Sequence, residues 1–214
     1  KEIPGVEKSG GWCYAYTVKL YGRERDEMEL RRGTGCPVSG GLREYWTPER
    51  KRMAWMVLCA TAGCSFAAHG FLFTNEFFSH DSISYFTYAT GSFSFYTSIG
   101  RFVIPAYELL KGDAAAPWLI GLLALVFVGL SLFLMTRMLK LRNPLLLVLT
   151  GGIMCVNLSF TAQTATYIHE LDCNYLALLL AVAAVYLWYF YCGWLPFFGG
   201  AVLIFLSLGI YQSF

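Results

Sequence analysis

The chain has 214 residues, of which 57% are hydrophobic and only 14% are charged. An ordinary soluble domain carries about 25% charged residues, so this composition excludes a water-soluble globular protein. The net charge of +2 hides an uneven distribution, because residues 1–52 hold 11 of the 16 basic and 8 of the 14 acidic side chains. The remainder is nearly free of charge, which indicates an integral membrane protein.

Residues 1–52 form a charged segment that we predict to lie in the cytoplasm, ahead of a multi-span membrane domain at residues 53–214. Within this segment, residues 12–20 alternate between apolar and polar side chains, W-C-Y-A-Y-T-V-K-L. This pattern fits a small strand-bearing fold, but the segment is equally compatible with a loose leader. We assign no chemistry to it.

Five apolar stretches follow, and each is close to the length of a membrane span. A helix needs about 20 mostly apolar residues to cross a hydrocarbon core of about 30 Å. We therefore predict an all-α bundle of about five transmembrane helices, at residues 53–73, 117–136, 144–162, 174–192 and 195–214.

Two clusters of basic residues, at 50–52 and 137–142, orient the bundle. Short cytoplasmic loops retain Lys and Arg, and these clusters are two crossings apart, so both can face the cytoplasm. This orientation predicts a cell-membrane protein with a cytoplasmic N-terminus. Segments 74–116 and 163–173 then lie outside. The acidic residues after position 52 all fall on that external side, namely Glu76, Asp81, Glu108, Asp113, Glu170 and Asp172.

The external segment 74–116 is too long for a plain connector. Its middle is apolar but interrupted by serines, Gly100, Arg101 and Pro105. We predict an interfacial or re-entrant element, with aromatic side chains such as Tyr96 and Tyr107 at the headgroup boundary. A sixth, short membrane span is the competing interpretation.

The densest polar cluster follows the first predicted span, in the string N-E-F-F-S-H-D-S. Asp81 is the candidate general base, since a carboxylate at the membrane boundary can accept a proton from a sugar hydroxyl. Alternatively, Asp81 caps a helix that begins after it, because aspartate is a favoured N-cap. His80 can bind a divalent cation together with Asp81, or only form surface hydrogen bonds.

Arg101 is the only arginine on the predicted external side, and its planar guanidinium suits a phosphate group. The alternative is an arginine that snorkels to the interface. Further candidate substrate-binding residues are polar groups in the second external loop and at the end of the fifth span. They are Gln163, Tyr167, Glu170, Asp172, Tyr211 and Gln212. An external loop is polar in any case, and Tyr211 can equally be an aromatic anchor.

Two predictions concern the interior. His69, within the first span, is most simply a helix-packing or cavity residue. The seven cysteines are predicted to be free thiols, mostly buried, with Cys173 the one exposed to an external compartment.

Four strings occur in an order that resembles a known family. They are N-E-F-F-S-H-D-S after the first span, S-I-G-R-F ahead of the second, P-W-L-I-G-L-L-A at its start, and S-L-G-I-Y-Q-S-F at the end. Over residues 53–214 the chain resembles the Gtr-type (type II) bacterial membrane glucosyltransferases, which modify O-antigen. Members are longer, so we expect an incomplete chain whose missing C-terminal part completes the acceptor site.

The resemblance implies a GT-C architecture and transfer of a hexose, glucose, from a polyprenyl-phosphate donor to a cell-surface polysaccharide such as O-antigen. It implies that Asp81 is the base or charge-stabilising carboxylate, Glu76 an auxiliary acid and Arg101 the donor-phosphate contact. No cofactor is assigned, a divalent cation is left open, and no nucleic-acid partner is expected. A membrane transporter or flippase of lipid-linked or small solutes is the rival function, and a non-enzymatic anchoring subunit is a third.

Reporter fusions test the predicted orientation. A reporter that is active only outside the cytoplasm should give signal when fused after Asp81 or Glu170, and none when fused after Lys140, because the basic loop is retained inside. Signal from the Lys140 fusion together with silence from the other two would reverse the topology.

Overall fold

The structure is a computed structural model that describes residues 47–75, 92–111, 116–191 and 193–212. These ranges contain helices and turns but no strand. The helices in chain order are α1 (Pro48–Thr74), α2 (Ser92–Ser98), α3 (Ile104–Lys111), α4 (Pro117–Met138), α5 (Pro144–Val156), α6 (Leu158–Thr166), α7 (Leu171–Phe190) and α8 (Trp194–Ile210). A 3₁₀ turn, Ile168–Glu170, precedes α7.

Proline sets the starting point of three long helices. Pro48, Pro117 and Pro144 occupy their first turns, where the missing N–H is not needed and the fixed φ favours helix. The side chain of Thr47 caps α1 by accepting a hydrogen bond from the backbone N–H of Arg50 at 3.3 Å. These local signals explain why the helices begin where the apolar stretches do.

The long helices pack as a bundle around an apolar core. Helix α7 packs against α4 and α8, and α1 packs against α4 and α5. Between helices in lipid, close packing replaces the hydrophobic effect as the main attraction, so small residues matter at the contacts. At one such contact, a Cβ on Gly121 would lie 2.6 Å from the ring of Phe73. Val57, Ala124 and Leu147 are fully buried in this core.

Within the described residues, three helical segments are long and apolar enough to cross a membrane, namely Pro48–Thr74, Pro117–Met138 and Ile168–Phe190. Helices α5 and α6 together pass the same test but are bent by 44°, and α8 is apolar but has 17 residues. The predicted helical membrane bundle is confirmed for the described residues. The count of five crossings stays a prediction.

The predicted single span at 144–162 is instead broken at Asn157. Its side-chain oxygen accepts from the N–H of Phe160 at 2.9 Å, which caps α6, and its amide donates to the carbonyl of Met154 at 2.6 Å. Asparagine competes in this way with the helical backbone for hydrogen bonds. The side chain thus satisfies backbone groups on both sides of the break.

His69 packs between helices at this same break. Its Nε2 donates to the carbonyl of Cys155 at 2.9 Å, and its ring stacks on that of Phe160 with a centroid distance of 5.2 Å. The carbonyls in the last turn of a helix lack intrahelical partners. His69 on α1 donates a hydrogen bond to one such carbonyl on α5. The helix-packing interpretation of His69 is confirmed.

Between the first and second predicted spans, the described residues do not form a membrane span. In residues 92–111, α2 has seven residues and α3 has eight, and both are far too short to cross a bilayer. This part supports the interfacial interpretation over a sixth span.

Charged side chains occupy the two opposite ends of the bundle. One end, called here the carboxylate end, gathers Glu108, Glu170 and Asp172 beside Arg101 and Lys111. The other, called the basic end, lies where α1 begins and α4 ends, and gathers Arg50, Arg137, Lys140 and Arg142. Helix ends that are distant in the sequence therefore meet at each side.

Helix α4 terminates with a lysine in the left-handed conformation. Lys140 has φ 53°, its N–H donates to the carbonyl of Arg137 at 3.2 Å, and the N–H of Leu141 donates to that of Thr136 at 2.9 Å. This is a Schellman motif, whose left-handed position is usually glycine. A side chain at that position strains the backbone.

Replacement of Lys140 by glycine should therefore stabilise the protein. We expect Lys140→Gly to raise the free energy of unfolding by about 1 kcal/mol, since it removes the clash of Cβ with the backbone. Thermal melting of the purified protein in detergent measures the change. Lys140→Ala is the control, because it removes the same charge and keeps the strain. Equal stabilisation by both variants would contradict the backbone explanation.

Candidate active site at the carboxylate end

Arg101 and Glu170 form the centre of the candidate site. Nη1 of Arg101 lies 3.0 Å from Oε2 of Glu170, and the other carboxylate oxygen accepts a hydrogen bond from the hydroxyl of Tyr96. Glu170 and Tyr96 are buried, whereas the Arg101 side chain is 26% exposed. The buried carboxylate therefore fixes the direction of a guanidinium that still reaches the surface.

The end of α8 closes one side of this pair. The guanidinium carbon of Arg101 lies 5.0 Å from the ring centroid of Tyr211, a cation–π contact. The amide of Gln212 donates to the carbonyl of Ile99 at 3.1 Å, and the carbonyl of Gly209 accepts from the N–H of Val103 at 3.0 Å. The polar end of α8 thus forms its hydrogen bonds with the α2–α3 turn.

Glycine at position 209 makes this docking possible. A Cβ there would lie 2.6 Å from the side chain of Val103 and 2.7 Å from the ring of Phe102. Real Cβ atoms do not approach so closely, so a larger residue would push the α2–α3 turn away from α8.

A second ionic group lies beside the first and is almost fully buried. Nζ of Lys111 lies 3.2 Å from Oδ2 of Asp172 and 3.0 Å from Oε1 of Glu108, while the hydroxyl of Tyr107 donates to Oδ2 of Asp172 at 3.0 Å. Asp172 is fully buried and the Lys111 side chain is 3% exposed. This group ties α3 to the start of α7.

The charges of this group act strongly on one another. Burial lowers the pKa of Lys111, but the carboxylate of Asp172, with Cys173 and Glu108, outweighs it, so the pKa lies above its ordinary value. Burial, and then the charge and hydrogen bond of Asp172, raise the pKa of the Tyr107 hydroxyl. Lys111 therefore stays protonated and Tyr107 stays a hydrogen-bond donor throughout the physiological range.

Two amide oxygens near these groups in the sequence have no hydrogen-bond partner among the described residues. They are Oε1 of Gln163 on α6 and Oδ1 of Asn174 on α7. Asn174 is 1% exposed, and a buried acceptor without a donor is costly. Tyr167, after α6, is 42% exposed and donates its backbone N–H to the carbonyl of Gln163 at 2.8 Å.

The structure brings four of the predicted site residues together, namely Arg101, Glu170, Tyr211 and Gln212. Asp172 lies in the neighbouring ionic group. The predicted catalytic residues Asp81 and Glu76, and the predicted substrate contact His80, lie outside the described residues.

The described ranges also contain no group of three or more His, Cys, Asp or Glu side chains placed to hold a metal. A cation bound by His80 and Asp81 stays a prediction.

A comparison with protein-family models identifies the family of this chain. The model described as "Glucosyl transferase GtrII" matches residues 70–214, which is more than half of the chain. The chain belongs to the GtrII glucosyl transferase family. No curated protein and no solved structure matches it. Membership confirms the suspected family and makes the chain a membrane glycosyltransferase.

In this glucosyl transferase, sequence reasoning missed the residues that hold the carboxylates. Tyr96 and Tyr107 were predicted at the headgroup boundary, but Tyr96 is buried and both donate hydrogen bonds to acids. The pairing of Glu108 with Lys111, three residues apart on α3, was the one signal readable from spacing. The tyrosine contacts join distant segments and left no local pattern.

The cysteine prediction was right about free thiols and wrong about Cys173. Among the described residues Cys59, Cys64, Cys155 and Cys173 are free. Cys173 is fully buried, not exposed, because it lies in the first turn of α7 against α3, with Sγ 3.6 Å from Oε1 of Glu108.

Breaking the buried ion pair should destabilise this glucosyl transferase. We expect Lys111→Met to lower the free energy of unfolding by about 3–5 kcal/mol, because it leaves the carboxylates of Asp172 and Glu108 together without their cation. The double variant Asp172→Asn/Lys111→Met should recover part of this loss, because it removes the more deeply buried of the two carboxylates. Denaturation of the single and double variants measures the difference. A double variant less stable than Lys111→Met would contradict the explanation.

Proposed function

We propose that this chain moves a hexose, glucose, from a polyprenyl-phosphate donor to a cell-surface polysaccharide such as O-antigen, on the external face of the cell membrane. The observation that carries the proposal is the guanidinium of Arg101, oriented by Glu170 and Tyr211 at the carboxylate end. It is the one arginine that the described ranges place at this end. A positively charged planar group at a helix-bundle end is suited to a phosphate that must stay near lipid.

Arg101 is proposed to bind the donor phosphate. A guanidinium has five N–H donors in a fixed plane, and the pair with Glu170 engages Nη1. The salt bridge sets the plane, while the partly exposed side chain leaves an edge toward the surface. Phe95 on α2 and Phe102 in the α2–α3 turn are 60% and 42% exposed. Such apolar surface beside the guanidinium fits the lipid tail of the donor.

The sugar and the acceptor are proposed to lie against the second external loop. Tyr167 offers an exposed aromatic ring for stacking, and Oε1 of Gln163 offers an acceptor for a sugar hydroxyl. Glu170, Asp172, Tyr211 and Gln212 support this arrangement through the contacts described above. Of these, Asp172 is fully buried, so its part is to hold Lys111 and Tyr107 in place.

Asp81 is proposed as the general base or charge-stabilising carboxylate, with Glu76 as the auxiliary acid and His80 as a substrate contact. Asp81 follows α1 in the chain. A base in this position would accept the proton of the acceptor hydroxyl while its oxygen attacks the anomeric carbon and the lipid phosphate leaves. The negative charge that develops on the departing phosphate is then balanced by Arg101.

The bundle is proposed to be of GT-C type, with five crossings and residues 1–52 in the cytoplasm ahead of the membrane domain. A donor with a polyprenyl tail remains in the bilayer, while a polysaccharide acceptor is polar and outside it. A site at one rim of the bundle meets both requirements. The opposite, basic end then faces the cytoplasm, as the distribution of Lys and Arg favours.

Sugar transfer by the full-length protein tests the proposal. With a polyprenyl-phosphate glucose donor, we expect Asp81→Asn to lower kcat by about 100-fold or more, as loss of a general base does. Arg101→Gln should raise KM for the donor, and Arg101→Lys should recover only part of the loss because it lacks the planar fork. Asp113→Asn is the matched control, an acid on the same predicted side with no proposed role.

Transfer rates for Asp81→Asn and Arg101→Gln equal to those of the parent and Asp113→Asn would remove the site assignment. A nucleotide-linked glucose that serves equally well as donor would remove the lipid-phosphate donor.

A further inference from the structure

A cavity of about 290 Å³ opens at the basic end of the bundle, opposite to the candidate active site. Its walls come from the start of α1, the end of α4, the turn that follows α4, and Phe190 at the end of α7. Its volume is at the lower limit of ordinary small-ligand sites. Neither the family nor the proposed sugar transfer assigns a role to this cavity.

The charged side chains that line the cavity are mostly basic. Among the described residues they are the basic side chains Arg50, Arg137, Lys140 and Arg142 and the acid Glu49. Cations from α1, from α4 and from the α4–α5 turn therefore converge on one small volume. A negatively charged group in this volume would be attracted by all four basic side chains.

Arg137 is held in place by aromatic rings rather than left to extend into solvent. Its guanidinium carbon lies 5.6 Å from the ring centroids of both Tyr186 and Phe190 on α7. Stacking on a ring face orients the plane of a guanidinium, and its N–H groups point outward from the edge of that plane. The side chain is half-buried, so the orientation is set before a ligand arrives.

Lys140 provides an independent sign that this site is built for binding. It occupies the left-handed position of the α4 Schellman motif, where glycine is the least strained residue. Strained backbone that carries a charged side chain into a cavity points to a role for that charge. In this position the lysine lies between Arg137 on the helix and Arg142 on the following turn.

We propose that the cavity is a binding site for a phosphate group at the membrane surface, with the headgroup of an anionic lipid as the favoured source. Four basic side chains around a small cavity attract the negative charge of a phosphate ester, and basic pockets between membrane helices bind lipid headgroups. Apolar walls such as Met53 and Phe133 suit the start of an acyl chain. The site is separate from the donor-phosphate contact proposed at Arg101.

Lipid retention by the full-length protein tests the proposal. The protein is equilibrated with phosphatidylglycerol or with phosphatidylcholine, and bound lipid is counted by native mass spectrometry. The pocket variant is Lys140→Gly/Arg142→Gln, and the matched control is Lys51→Gln/Arg52→Gln. The control removes the same charge from exposed residues of the same end that do not line the cavity.

We expect the parent to retain phosphatidylglycerol in preference to phosphatidylcholine. In the pocket variant the affinity for phosphatidylglycerol should fall about tenfold, which corresponds to the attraction of one or two basic residues. The control should change by less than twofold. Equal losses in the two variants would overturn the proposal, because general attraction by basic residues would then explain the binding. No loss in the pocket variant would also overturn it.

Inorganic phosphate distinguishes the two sources of the group. Protein freed of anionic lipid is melted in phosphate and in chloride at equal ionic strength. Stabilisation of the parent but not of the pocket variant by phosphate, without lipid retention, would support a phosphate site whose ligand is soluble. No lipid preference and no phosphate effect in the parent would overturn the proposal.

We expect the pocket variant to fold, since Lys140→Gly relieves backbone strain and Arg142 is exposed. A measurement on the parent alone gives a second test. Phosphatidylglycerol should protect Lys140 from an amine-reactive reagent more than it protects Lys51. Equal protection of the two lysines would contradict the site.

Discussion

The exclusion of charge from the apolar body of the bundle is the constraint on which the rest of the structure depends. Residues 53–75, 116–136, 143–169 and 173–212 contain no Lys, Arg, Asp or Glu. A charge within hydrocarbon is expensive, and the Lys, Arg, Asp and Glu side chains that the structure describes lie at or near the helix ends. They accumulate there as two separate groups, one dominated by carboxylates and one by cations.

At the carboxylate end this confinement creates a connected structure. Asp172 and Glu170 stand within two residues of each other at the start of α7, and each binds a cation from the α2–α3 segment. Buried ion pairs give little net stability compared with apolar contacts, but removal of one partner is costly. Together with the apolar contacts of Tyr96 and Ile104 against α7 and α8, they fix the position of the short α2–α3 segment. The orientation of Arg101 follows from that attachment.

Uncharged polar groups inside the bundle are also costly to bury, and several of them are paired by hydrogen bonds. The break at Asn157 would leave backbone groups without partners in the interior, and His69 and Asn157 itself supply them. Ser207 of α8 likewise donates to the carbonyl of Ala177 on α7 at 2.7 Å. In lipid each backbone group requires such a partner. These hydrogen bonds join helices whose apolar surfaces alone would not select a single arrangement.

The sequence by itself determined the class of protein, the approximate helices, the two groups of charge and, through four short strings, the family. These properties depend on local composition and order, which can be read along the chain. Which partners meet was decided only by tertiary structure, as the contacts of Glu170 with Tyr96 and of Arg101 with Tyr211 demonstrate. The break at Asn157 and the burial of Cys173 were equally invisible. Such features depend on how helix ends far apart in the chain pack against one another, and spacing along one segment carries no record of that packing.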